Sequence, residues 1–79
     1  MMDEDLQKVS EGYHKLGSLC FQLGNFAEAE QHLLSSLEYN QGGDKTGTIL
    51  LLKLTRQKQL EVERREFEQG EIKENKSNE

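Results

Sequence analysis

Leu6, Val9, Tyr13, Leu16, Cys20 and Leu23 follow one another at alternating spacings of three and four residues. That rhythm belongs to a helix with one apolar face, because a half-buried strand alternates every second residue. Asp3, Glu4 and Asp5 sit where the helix dipole favours negative charge. Gly24-Asn25 is placed to end the segment, since glycine accepts the left-handed conformation of a helix C-terminal cap. A second apolar series starts at once with Phe26, Ala29, Leu33 and Leu37, with Ser36 as a small neighbour. Asn25 is followed three residues later by Glu28, the spacing of a capping box, and Tyr39-Asn40-Gln41-Gly42-Gly43 closes the helix. Two amphipathic helices joined this tightly pack as an antiparallel pair.

The third segment opens at Asp44, the expected N-cap, and meets no strong breaker from Thr48 to about Gln69. Ile49, Leu50, Leu51, Leu52 and Leu54 are dense enough to predict burial on more than one side. Beyond Thr55 the apolar residues thin to Leu60, Val62 and Phe67 among charged neighbours, with Glu61 and Arg65 spaced for an ion pair. From Gly70 to Glu79 the chain is polar and is expected to be a disordered acidic tail. The predicted fold class is therefore all-α: a helical hairpin over 1–43, a long third helix over 44–69 and a tail over 70–79.

A chain of 79 residues has little room for a core, and 33% apolar against 32% charged residues makes the supply thin. Small scaffolds of this kind add disulfides, a metal or a partner. Cys20 is the single cysteine, which excludes an internal disulfide. Ten basic against fifteen acidic residues give a net charge of -5, so phosphate backbones are repelled and nucleic acid is not an expected partner. The first residues are acidic where a secretory signal would be basic and then apolar. The longest apolar run, Ile49 to Leu52, is far short of the ~20 residues that span a bilayer. Cytoplasmic localisation without membrane insertion is the expectation, and Asn75-Lys76-Ser77 is then a chance glycosylation sequon.

One motif is more specific. Tyr13, Leu16-Gly17 and Cys20 are followed by Gly24, Phe26, Ala29 and Leu33. The series resembles the pattern of the tetratricopeptide repeat, in which an aromatic, Leu-Gly and a second aromatic lead to Ala-x3-aromatic and then proline. The resemblance runs from about Ser10 to Gly43. Gly17 and Ala29 are small where hairpin helices cross closely, and Leu16, Phe26 and Leu33 would fill the space around the crossing. Cys20 and Leu33 depart from the usual aromatics, Ser36 stands where alanine is common, and Gln41 stands where proline would be. The Gly-Asp-Lys-x-Gly that follows is similar to the linkers of longer-repeat members such as kinesin light chains. Only one repeat is evident, and such a unit cannot bury its apolar face alone. The third helix would cover it as a terminal capping helix.

The resemblance implies a binding function. Ligands of the family lie along the first helices of the hairpins, and the matching positions here are Glu11, His14, Ser18, Phe21 and Gln22. Phe21 lies off the main apolar stripe, so it either anchors a partner or packs under the third helix. Family members that clamp carboxylate tails use a lysine and an asparagine where this chain has His14 and Ser18, which disfavours that ligand.

Chemistry is not expected. Cys20 with His14 or His32 offers a thiol and a base, but Cys20 falls on the apolar stripe, where a buried inert thiol is the rule. His14 and Cys20, six residues apart, are out of helical alignment as metal ligands. Gly42-Gly43-Asp44-Lys45-Thr46-Gly47 lacks the order of a phosphate-binding loop. No cofactor and no metal are predicted. The expected function is a protein-interaction module, an adaptor or small scaffold subunit for another protein or peptide. The alternative is a structural protein that forms a homo-oligomer through Ile49, Leu50, Leu51, Leu52 and Leu54, or through the third helix.

Overall fold

The computed structural model describes the backbone of residues 2–78 and the side chains of residues 5–67. Its elements are α1 (Met2–Gln22), α2 (Phe26–Tyr39) and α3 (Thr46–Asn78). The all-α class and the hairpin with a third helix are therefore as read from the sequence. The third helix runs on through residues 70–78, where the sequence predicts a disordered tail after a helix over 44–69; side chains beyond residue 67 are not described.

The first turn is made as the glycine demands. Gly24 has φ +83°. The Gly24 N–H donates to the Phe21 carbonyl at 3.1 Å and the Asn25 N–H donates to the Cys20 carbonyl at 2.8 Å. Those two bonds form a Schellman motif, which satisfies the last carbonyls of α1. They also defeat the capping box. Asn25 is the N-cap of α2, yet its side chain makes no capping bond. The backbone N–H that Glu28 would have to reach is already committed to Cys20.

Small residues, not large ones, bring α1 onto α2. Gly17 is buried, and a Cβ there would stand 2.7 Å from the Leu33 side chain and 3.3 Å from the Ala29 carbonyl. One turn pair further along, Ser10 Oγ donates to the Ser36 carbonyl at 2.6 Å and Ser36 Oγ donates to the Ser10 carbonyl at 2.8 Å. The two hydroxyls also lie 3.2 Å apart, but each has one proton and both protons are taken by the shorter bonds. No buried side-chain N or O among the described residues is left without a partner.

Three sequence expectations are corrected by this packing. The α1 stripe is rotated: Leu16 is 46% and Leu23 67% exposed, while the interface carries Ser10 and Gly17. Leu16 therefore does not fill the crossing. The Ile49–Leu54 cluster is not buried on several sides; Leu52 is buried and Leu51 half-buried, whereas Ile49, Leu50 and Leu54 are exposed. Glu61 meets Lys58, at 3.9 Å, in place of Arg65.

Helix α2 lies between the other two and packs on both, while α1 and α3 meet only sparsely. Among the described residues of α3, Thr48, Leu52 and Thr55 are buried, at helical spacing. The Thr55 hydroxyl donates to the Leu51 carbonyl at 2.7 Å, so a polar side chain is buried with its bond made inside its own helix. Across the outer edge Arg56 Nε meets Glu30 Oε2 at 2.8 Å, an exposed pair that contributes little.

The linker is fixed from both sides. Gly42 has φ +87°, Gly43 N–H donates to Asn40 Oδ1 at 2.8 Å, and Gln41 N–H donates to Gln7 Oε1 at 3.1 Å. Asp44 Oδ1 accepts from the Thr46 N–H at 2.9 Å. The first helical carbonyl to be used is that of Lys45, bonded by the Ile49 N–H, so Asp44 stands one residue before the cap it was expected to form. Thr46, through its backbone N–H first and its side chain second, holds the Asp44 carboxyl below the ordinary aspartate value. A depressed folded-state value means the contribution is present above the unfolded pKa and fades as pH falls through the folded one. In an acid titration the Thr46 amide resonance is expected to move with its inflection below 3.8. An inflection at or above that value would mean the bond is not made in solution.

Candidate functional site

Positions 7, 11, 14, 18 and 21 of α1 are spaced by three or four and share one face, about a third of a turn from the face on α2. Opposite that face stands α3. His14 Nδ1 lies 2.9 Å from Thr48 Oγ1. Phe21 lines a cavity with Phe26 of α2 and with Lys58, Glu61, Val62 and Arg65 of α3. Both meetings advance in the same chain direction, so α1 and α3 run parallel with α2 as the floor between them.

The two ends of this groove differ in character. At the His14 end an open cleft of about 500 Å3 is walled by Glu11, His14 and Lys15 of α1, with Ser36 and Asn40 beneath and Thr48 opposite. It offers hydrogen-bonding groups of both kinds. At the Phe21 end the space is about 270 Å3. Phe21 and Phe26 meet there edge to face, ring centroids 5.4 Å apart at 69°, the favoured arrangement for two aromatic quadrupoles. Lys58, Glu61 and Arg65 rim this apolar floor.

Of the positions singled out from the sequence, Glu11 and His14 come together in the polar cleft, and Phe21 lies at the far end. Ser18 is half-buried between them on the same face, and Gln22 is exposed at the end of α1. Phe21 is half-buried and lines an open cavity together with residues of α3. In the leucine cluster, Leu52 is committed to the core, and only Ile49, Leu50 and Leu54 are exposed.

A second constellation was missed. Cys20, Glu28 and His32 have their Sγ, carboxylate and ring-nitrogen atoms within 4.8 Å of one another. The sequence reading pairs Cys20 with His14 or His32 as thiol and base and does not reach Glu28, because the second and third groups of the trio arrive from α2 after the turn. The available signal was Glu28 and His32 themselves, four residues apart and so on one face of α2. Tyr13 stacks on His32, centroids 6.1 Å apart at 25°, and on Tyr39, 5.7 Å apart at 8°. This aromatic column stands on the flank of the hairpin away from α3.

No helix among the described residues is long and apolar enough to cross a membrane. No family model matches the chain, and no match was found among curated proteins or among solved structures.

Proposed function

We propose that this chain is a protein-interaction module, a single tetratricopeptide-type hairpin with a capping third helix, and that it performs no catalysis. One observation carries the reading. Among the described residues the buried apolar side chains are Ala29, Leu33 and Leu52, while ten large ones, from Val9 to Phe67, are exposed. Apolar area left in water at that ratio is area that a bound chain would cover. The α1–α3 groove is lined by none of those ten, and it is proposed for a peptide segment because the repeat resemblance puts ligands along α1. It offers hydrogen bonds at His14 and the Phe21–Phe26 aromatic pair at its other end, which suits an extended or helical segment with one apolar anchor.

For a partner bound by the intact chain, Phe21→Ala is expected to weaken binding tenfold or more in titration calorimetry, with the far-ultraviolet spectrum unchanged. Lys8→Ala, at an exposed position, should leave binding as it was. Equal affinity for wild type, Phe21→Ala and His14→Ala would move the site out of the groove.

Self-association is the second reading, favoured by the exposure of Ile49, Leu50 and Leu54 on α3. Sedimentation at low and high micromolar concentration separates the two: a monomer throughout leaves the groove for another protein, and a discrete oligomer makes α3 the interface. Truncation after Thr55 then tells leucine pairing, which should survive, from coiling of the charged half, which should vanish.

A further inference from the structure

From Cys20, Glu28 and His32 we infer a zinc site that clamps the two helices of the hairpin beside their turn. A thiol, a carboxylate and an imidazole are three of the ligand types zinc accepts, and the softness of sulfur favours it over magnesium or calcium. Their donor atoms lie within 4.8 Å of one another. In a tetrahedral site the corresponding edges are roughly 3.3–3.7 Å, so a contraction on the order of 1 Å closes the set. Glu28 is exposed and is free to supply that movement by side-chain rotation.

The surroundings favour a metal in two further ways. Tyr13 lies against the His32 ring at 6.1 Å and 25°, which holds the ring in place before any ion arrives. A separate cavity of about 320 Å3, lined by Ala27, Glu28, Gln31 and His32, opens next to the trio. That space leaves the fourth coordination position to water or to a donor from another molecule. Binding takes the Cys20 thiol to thiolate and releases its proton to solvent, with no redox change.

The energetic setting gives the ion something to do. A hairpin whose buried apolar side chains, among the described residues, are Ala29 and Leu33 gains from any link between α1 and α2 that the unfolded chain lacks. Cys20 belongs to the last turn of α1, and Glu28 and His32 to the first half of α2. The Schellman turn between them already sets the distance, so little ordering is left for the ion to impose.

The test uses the whole chain and cobalt(II) as the spectroscopic stand-in for zinc. One equivalent is expected to produce a thiolate-to-cobalt charge-transfer band together with the intense visible bands of tetrahedral coordination, and zinc should abolish both. Zinc at about a hundredfold excess over its Kd should raise the melting temperature by roughly 10 °C or more. Cys20→Ser and His32→Gln should each remove the charge-transfer band or weaken binding at least tenfold, as should Glu28→Gln, whose exposed position leaves folding intact. Glu38→Gln, an exposed carboxylate of α2 outside the trio, should leave the band and the affinity unchanged. Absence of the band, its survival in Cys20→Ser, its loss in Glu38→Gln, or a stoichiometry of one ion per two chains would each overturn the assignment.

Discussion

Gly17→Val is expected to unfold most of the chain at room temperature, the largest effect of any single substitution on α1. Its first added atom would stand 2.7 Å from Cγ and Cδ2 of Leu33 and 3.3 Å from the Ala29 carbonyl. Leu33 is fully buried and cannot swing aside, so the helices must separate or the leucine must leave its rotamer. Overpacking of this kind costs about 1–3 kcal/mol for a single added group, and valine adds three carbons at the point of closest approach. A core this small rarely supplies more than ~3–5 kcal/mol in all. Gly12 provides the matched control. It lies in the same helix, a Cβ there would meet nothing within 4 Å, and Gly12→Ala should stabilise the protein by about 0.5–1 kcal/mol through helix propensity alone. Urea melts followed by circular dichroism read both changes. A Gly17→Val protein as stable as wild type would mean that α1 and α2 do not cross at this residue.

Leu33→Ala tests the same crossing from the other side. Leu33 is the largest fully buried apolar residue described. Truncation removes its transfer free energy and leaves a void, together about 2–5 kcal/mol for a leucine in a tight core. Its neighbour Leu34 is 44% exposed, and Leu34→Ala should cost well under half as much. A difference between the two melts of less than ~1 kcal/mol would show that the centre of the hairpin is loosely packed.

The positions of the helices were legible because they rest on local chemistry. Period 3.6 and a glycine free to take positive φ at residue 24 were enough to place α1, its stop and α2 within a residue or two. Which flank of α1 turns inward was not legible. Hydropathy points to Leu16 and Leu23, but closest approach is decided by Gly17, and the neighbouring contact is made by Ser10 with Ser36. A serine looks polar in isolation, and it is compatible with burial here only because a second serine across the interface satisfies it. The same limit applied to the sites. Glu11, His14, Ser18, Phe21 and Gln22 were named from the resemblance to the repeat, and the spacing of the first four within one helix is compatible with a shared face. Cys20 could be paired with His32 as thiol and base, but joining Glu28 to them as a trio needed the geometry of the turn. The overcount of buried leucines on α3 has the same origin: consecutive apolar residues point around the whole helix, while α2 covers one side.

The sparse meeting of α1 and α3 has a consequence for how the molecule is made. Each helix finds nearly all its support in the helix just before or after it in the chain. Contacts of short sequence separation cost little loop-closure entropy, and domains built from them fold in microseconds to milliseconds. Pairing of α1 with α2 is therefore expected to come before the docking of α3, which completes the cover over α2 and makes the pair stable. Each step joins chain neighbours, so the order of folding follows the order of synthesis.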